Sequence, residues 1–349
     1  MIRTNLLQLV RFLLFPFAIV YYGVVSLRNF LYDTNVLKST SFDFPVIVVG
    51  NLSVGGTGKT PQIEYLIRHL QSKYNIAVLS RGYKRKSKGF VRGVVSSTVY
   101  DLGDEPFQYF SKYPNITVAV DADRVSGITK LKKTVSNLSL VLLDDAFQHR
   151  KLRPSFSILL TSYDALFVND YVFPVGNLRE PRTGRKRADL IVVTKCPTSL
   201  STQEKERIQK HVQSSDSLPV LFSSIKYMPS IYGEGKEIPI SELIDYEVVL
   251  VTGIAKPSPL LRFLEVNNIR FTHLDYPDHY DFQQKDIEKI QNVFGALAKS
   301  DTIILTTEKD FTRLSGRLKS LYYLGIEACF SQKDALVIDR VIDTHIESF

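Results

Sequence analysis

The chain has 349 residues, 44% of them apolar and 11% aromatic, which excludes a disordered or fibrous protein and predicts about two folded domains. Lys and Arg number 44 against 36 Asp and Glu, a net charge of +8, which suits an anionic partner: phosphate, nucleic acid or an acidic membrane face. The two cysteines, Cys196 and Cys329, cannot build a disulfide framework and stand in no metal-ligand or redox spacing. A reducing compartment and two buried apolar thiols are therefore expected.

The first element is the uncharged run from Phe12 to Leu27, fenced by Arg11 and Arg28 and interrupted by Pro16 and Gly23. It is shorter than the roughly 20 apolar residues a bilayer span requires, and no small-residue cleavage site follows to mark a signal peptide. Helical spacing puts Leu6, Leu9, Val10, Leu13, Phe17, Val20 and Val24 on one face. Thr4, Gln8, Arg11, Tyr22 and Ser26 fall on the other, with Phe15 and Ile19 blurring it. Two readings stay open: a helix lying in a membrane interface with Tyr21, Tyr22 and the arginines at headgroup level, or a helix packed on its own domain.

From there the chain alternates buried strands with amphipathic helices. Phe44–Val49, Ile76–Leu79, Ile116–Val120, Leu138–Leu143, Phe156–Leu160 and Leu190–Val193 read as strands covered on both faces. Pro61–Leu70, Arg124–Lys133 and Ser201–Val212 read as the helices between them. This predicts a doubly wound α/β domain. Around Pro219–Ile240 the rhythm breaks into Pro, Ser and Gly, the signature of a hinge. A second, smaller alternation follows in Glu247–Val251, Pro259–Val266, Ile269–Leu274, Gln284–Leu297, Thr302–Leu305 and Ala335–His345. The expected division is a helix over 1–30, a P-loop domain over 31–218, a hinge over 219–240 and a smaller α/β domain over 241–349.

The strand Pro45–Val49 runs into Gly50-Asn51-Leu52-Ser53-Val54-Gly55-Gly56-Thr57-Gly58-Lys59-Thr60 and then a helix, the context a P-loop requires. Glycines let backbone N–H groups turn inward on phosphate, and the helix start adds its positive dipole end. Ser53, Val54, Gly55, Gly56, Thr57, Gly58, Lys59 and Thr60 are thus the expected ATP cradle, with Lys59 on the β- and γ-phosphates and Thr60 on Mg²⁺. Ser53 stands where the strict pattern has Gly, and Gly55 and Gly56 supply the freedom it lacks. The strand Leu138–Leu143 ends in Asp144-Asp145, carboxylates expected to hold the metal directly or through water.

Taken together, GNLSVGGTGKTP (Gly50–Pro61), SRGYKR (Ser80–Arg85), GDEP (Gly103–Pro106), DDAFQHR (Asp144–Arg150), NLREP (Asn177–Pro181), PDHY (Pro277–Tyr280) and TEKD (Thr307–Asp310) occur in this order. In this the chain resembles the tetraacyldisaccharide 4′-kinase family over almost its whole length, with Ala146 where the family pattern has Gly. The resemblance implies phosphoryl transfer from ATP to the 4′-hydroxyl of a tetraacylated disaccharide phosphate in lipid A assembly. It also implies a P-loop domain joined by a β-ribbon hinge to a smaller α/β domain, and a peripheral location at the cytoplasmic face of the bacterial inner membrane. Asp104 and His279 resemble the family's paired base, which helps a poor sugar nucleophile lose its proton. Lying on different predicted domains, they are expected to pair when the cleft closes. The resemblance places Asn177, Arg179 and Glu180 at the acceptor pocket, with Arg124, Gln148 and His149. Arg81 and Tyr83, in the basic run Arg81–Lys88, become candidates for the acceptor phosphate or sugar, and the lysines beyond for anionic lipid.

A P-loop GTPase or metallochaperone-like switch is the competing function. The stretch Thr194-Lys195-Cys196-Pro197 lacks the Asp with which an Asn-Lys-x-Asp loop reads guanine, which favours ATP. No stacking-aromatic motif or nucleic-acid-binding module is present, so no nucleic-acid partner is expected.

Overall fold

The computed structural model describes residues 13–213, 215–297 and 301–349; Thr4, Leu6, Gln8, Leu9, Val10 and Arg11, assigned above to helix faces, lie outside them. The first described element is helix α1 (Phe15–Asp33). It docks through a stripe at Leu14, Ala18, Tyr21, Val25, Asn29 and Tyr32, all buried or half-buried. Leu13, Phe15, Phe17, Ile19, Val20, Tyr22, Val24, Leu27 and Phe30 are exposed. The helix is apolar nearly all round, so one stripe packs on protein and a large apolar surface still faces outward.

The chain is α/β with one mixed sheet. β1 (Val46–Asn51) runs parallel between β5 (Leu140–Asp144) and β6 (Phe156–Ser162). Beyond β5 lie β2 (Ile76–Ser80) and β4 (Thr117–Val120), with short β3 (Val91–Arg92) antiparallel on the edge. Beyond β6 lies β7 (Leu190–Thr194). Alternation explains why these strands are apolar throughout. Val46, Val48, Val141 and Leu143 pack on one face with Ile128 and Leu131 of α5 (Arg124–Thr134) and Ile208 and Val212 of α6 (Thr202–Val212). Ile47, Val49, Leu140 and Leu142 pack on the other with α2 (Lys59–Leu70) and α4 (Asp104–Lys112), the latter following the one-turn α3 (Val99–Leu102).

The stretch 219–240, expected as a hinge from its composition and as a β-ribbon from the family resemblance, is built of strands. It holds β8 (Val220–Gly233), a single strand of 14 residues. Val220–Phe222 pair in parallel with β7, and Ser223–Tyr232 pair antiparallel with β13 (Leu321–Phe330). Pro229 is tolerated because it lies by the register shift between Leu324 and Ile326, where the ladder is interrupted. Glu234 and Gly235, at φ of 50° and 73°, turn the chain into β9 (Lys236–Pro239), a two-residue hairpin loop.

β10 (Glu247–Thr252) then lies between β11 (Phe271–Asp275) and β12 (Thr302–Thr307), and β12 pairs with β13, all parallel. Helix α7 (Ser258–Val266) covers one face, and α8 (Gln284–Leu297) and α9 (Glu308–Leu314) the other. The last helix, α10 (Gln332–Glu347), does not stay with the strands that precede it. Its Ile338, Ile342 and Ile346 are buried among α2 and β1 residues, so packing crosses the boundary drawn from the sequence at residue 241. A half-buried ammonium ties the two parts further: Lys112 reaches Glu64 at 2.7 Å and Glu308 at 2.8 Å.

Cys196 is buried, as expected, and burial pushes its thiol up to about 12. Cys329 is exposed, contrary to expectation. It follows buried Ala328 on β13, and successive strand residues face opposite sides.

Candidate active site

The glycine-rich loop expected to cradle phosphate lies at the carboxyl end of central β1, where the chain crosses to β2 on one side and later to β6 on the other, the usual ligand position in an open α/β sheet. Gly58 caps α2 at φ +80°, a left-handed conformation open to glycine, and no side chain caps the first turn. The N–H groups of that turn and the positive helix end therefore face the loop, a ready anion site. Ser53 and Val54 are tied to the NLREP segment, with the Val54 N–H donating to the Asn177 carbonyl at 2.8 Å. From below, the Thr194 hydroxyl donates to the Thr57 carbonyl at 2.7 Å, and Lys195 donates to the Gly56 carbonyl. The stretch compared above with a guanine-reading loop thus braces the phosphate loop.

Register carries the acidic pair to the same place, because Val49 of β1 is opposite Asp144 of β5. The two carboxylates have different surroundings. Arg179 Nη1 donates to both oxygens of Asp145 at 2.9 and 3.0 Å, and Lys59 Nζ lies 3.6 Å away. Burial opposes ionisation there, but Lys59 and Arg179 outweigh it and hold the Asp145 carboxyl below its ordinary value. Asp144 is pushed up to about 7 by burial and by the negative charges of Asp145 and Glu105. Its Oδ2 accepts from the buried Tyr109 hydroxyl at 3.4 Å, whereas its Oδ1 is buried without a partner. An orphaned buried carboxylate oxygen beside a phosphate loop fits a hard divalent cation, since Mg²⁺ takes one or two carboxylates and fills its shell with phosphate oxygens and water.

Asp104 and His279 are hydrogen-bonded in the structure, His279 Nδ1 donating to Asp104 Oδ2 at 2.8 Å. Asp104 opens α4 after Gly103, whose φ is +90°. A Cβ there would meet the Tyr83 carbonyl oxygen at 2.7 Å, so only glycine lets the two segments approach. The carboxylate is 1% exposed, and Arg313 grips it with Nε on Oδ1 and Nη2 on Oδ2, each at 2.7 Å. Burial raises the Asp104 carboxyl, but the hydrogen bonds from His279 and Arg313 and the guanidinium charge prevail and hold it below its ordinary value. Arg313 also donates to the backbone carbonyls of His279 and Tyr280. On the far side of the ring, Lys309 Nζ lies 3.0 Å from His279 Nε2. An ammonium only donates, so Nε2 accepts and the ring proton sits on Nδ1. Tyr83 stands edge-on to the imidazole at 5.3 Å between centroids, and Lys84 donates to the His279 carbonyl at 2.9 Å.

Among the remaining candidates, Arg81 is exposed, with its charge felt at Arg124, and Arg124 is 3% exposed, lies beside the acidic pair and leaves its Nε without a partner. The guanidinium of Arg124 reaches the Asp145 carbonyl at 3.4 Å. His149 lies 3.9 Å from Asp123, and burial, aided by Arg124, lowers its imidazole. Gln148 donates to the Asn51 carbonyl at 2.8 Å and to Glu180 at 2.9 Å. Glu180 is itself taken up by Arg187 and by Asn29 of α1, and the Asn177 side chain is turned to Asp170. Gln148, Asn177 and Glu180 thus brace the NLREP segment, and among the described residues none of them is hydrogen-bonded to His279.

A profile of the tetraacyldisaccharide-1-P 4′-kinase family matches residues 10–346. A tetraacyldisaccharide 4′-kinase of Flavobacterium johnsoniae is 50% identical over 93% of this chain and 94% of its own, and that of Bacteroides thetaiotaomicron 43% identical over 92% and 90%. The chain belongs to this family. The crystal structure of LpxK from Aquifex aeolicus in complex with ATP is 30% identical and superposes with a TM-score of 0.78 over 97% of this chain and 99% of that one. Membership sets aside the regulatory-switch reading: a tetraacyldisaccharide 4′-kinase is an enzyme.

Within this kinase fold, sequence reasoning overlooked Arg313. The motif TEKD was noted without a role, yet Lys309 and Arg313 stand four residues apart on α9 and so face the same way. Replacing Arg313 with Ala removes the cation that favours ionised Asp104, so its carboxyl rises. The acid limb of the pH profile of kcat/KM then moves up by at least about one pH unit, and Arg313→Lys restores part of the difference.

Proposed function

We propose that the chain transfers the γ-phosphoryl group of ATP to the 4′-hydroxyl of a tetraacylated disaccharide 1-phosphate, and that Asp104 and His279 receive the hydroxyl proton. The observation carrying this reading is the double duty of α4. Its first residue forms the pair with His279, while its Tyr109 supports Asp144 beside the phosphate loop. The acceptor hydroxyl and the nucleotide are thereby referred to one short helix.

Lys59 and the first-turn N–H groups of α2 hold the phosphate chain, and the Thr60 hydroxyl and Asp144 Oδ1 are the groups that would hold Mg²⁺, with Asp145 kept outside by its pairing to Arg179. The ion, when bound, neutralises charge on the β- and γ-phosphates. The 4′-oxygen bonds to the γ-phosphorus as the bond to the β-phosphate bridge breaks and ADP leaves. A loose transition state demands little basicity, so a carboxylate of depressed pKa serves by aligning the hydroxyl and accepting its proton late. In this reading Arg81, Tyr83, Arg124 and His149 meet the acceptor's phosphate and sugar, and the two parts hinge on the β8–β9 ribbon. The test is phosphorylation of the tetraacyl disaccharide 1-phosphate by the purified chain: turnover with ATP and not GTP is expected, and no turnover with either nucleotide sinks the assignment.

The same reading puts the chain at the cytoplasmic face of the inner membrane as a peripheral protein. No helix among the described residues is long and apolar enough to cross a bilayer, whereas the outward side of α1 is the kind of surface that lies in the interface. Changing Phe17, Val20 and Val24 together to Glu should move the protein from anionic vesicles to the supernatant in a flotation assay, without touching the docking stripe.

A further inference from the structure

A second segment carries large exposed apolar side chains next to α1: Tyr171, 58% exposed, and Phe173, 56% exposed. The two rings are presented by a braced loop. The Asp170 carboxylate accepts from the N–H of Tyr171 and Asn177 and from the Asn177 side chain. The Phe173 N–H donates to the Leu178 carbonyl at 2.9 Å, and buried Phe167, Val168 and Leu178 root the loop in the sheet core. Such a loop holds its rings outward at a cost that a surface with no partner does not explain.

The loop is continuous with α1. Phe173 packs edge-on against Tyr21 at 6.1 Å, and the Tyr21 hydroxyl donates to the Arg179 carbonyl at 2.7 Å. Tyr21 lies on the docking stripe, one turn from exposed Phe17 and Val24, so Phe173 fills the seam where helix meets domain. Cations stand behind the rings. The Arg182 guanidinium lies 5.3 Å from the centre of the Tyr171 ring, and exposed Arg182 and Lys186 belong to the basic turn Arg182–Arg187. Aromatic rings flanked by cations and joined to an apolar helix match the layering of a bilayer surface, with rings among the upper acyl chains and cations at the phosphates.

We infer that the Tyr171–Phe173 loop is a second membrane contact, seated beside α1 in an anionic bilayer surface. It rests on the reading of α1 as the first contact. A lone interfacial helix leaves the protein free to roll about the helix axis; a contact off that axis fixes the roll. Arg179, eight residues or fewer from both aromatic rings, then stands at a set height above the lipid.

The chain contains no tryptophan, so a Trp introduced singly is its only indole reporter. Phe173→Trp, Phe17→Trp and Leu336→Trp, the last exposed on α10 across the sheet from the loop, are each titrated with vesicles of phosphatidylcholine alone or with about one-third phosphatidylglycerol. The expected result is a blue shift, and quenching by brominated acyl chains, at positions 173 and 17 with anionic vesicles and at neither with Leu336→Trp. A shift at 17 but not at 173 overturns this inference and leaves the α1 reading standing. No shift at either position overturns both. A shift at 173 that follows protein concentration without vesicles assigns the loop to contact between copies and overturns it as well. In the otherwise unaltered chain, Tyr171→Ser with Phe173→Ser lowers vesicle affinity about tenfold; an unchanged affinity with an unchanged melting temperature counts against the proposal.

Discussion

Asp104→Asn should lower kcat for phosphorylation of the tetraacyl disaccharide by about 10²–10⁴-fold, the range general-base groups contribute, and leave the KM for ATP nearly unchanged. The amide keeps one oxygen to accept from His279 or Arg313, but it cannot take the hydroxyl proton. It also removes the charge that offsets the Arg313 guanidinium, which meets Asp104 through two bonds of 2.7 Å. A folded variant is therefore expected to melt lower as well, because a largely buried cation loses its counter-charge. Binding of ATP, measured separately by calorimetry, distinguishes the two effects, since Asp104 touches none of the phosphate loop. Turnover near wild type in Asp104→Asn removes the carboxylate from the mechanism.

Lys59→Ala should cost about 10²–10³-fold in kcat/KM, the loss expected when one preorganised donor to developing charge is removed. Here the fold should survive. Lys59 is a partner of Asp145 only at 3.6 Å, and Arg179 holds the same carboxylate at 2.9 Å, so no buried charge is stranded. The melting temperature should stay within about 2 °C, a shift below about 1 kcal/mol for a protein of this size. Lys59→Arg should recover little, because the forked guanidinium does not fit where a point charge reaches between phosphates. Unchanged kinetics in Lys59→Ala would sink the phosphate-loop assignment.

The parts legible in the sequence are those written locally. Gly55 to Thr60 and Asp144-Asp145 announce themselves because backbone turns and strand ends demand those residue types side by side. Apolar runs such as Leu140–Leu143 betray strands covered on both faces. Arg313 was invisible because it meets Asp104 across 209 positions, and α9 that carries it is seven residues long, too short for a helical period to stand out. The length of β8 is hidden because Pro229 and Gly233 read as loop residues; a register shift absorbs the proline, and the glycine sits where a Cβ would strike the Leu321 carbonyl oxygen. The different environments of Asp144 and Asp145 could not be read from two identical letters. They follow from the burial of Asp144 and from Lys59 and Arg179 at Asp145, the latter brought over by the tether between the NLREP segment and the glycine-rich loop.

The placement of α10 sets the order in which the molecule can be made. Ile338, Ile342 and Ile346 complete the same core as Ile63, Leu66 and Ile67 of α2, the helix that begins at Lys59, and His69 in its last turn and Lys73 just beyond it pair with Asp343. His69 and Asp343 are 274 residues apart, so α2 leaves the ribosome long before these partners do. The face of β1 and α2 therefore waits, with apolar surface uncovered, until α10 is synthesised, and a product terminated before α10 lacks that cover.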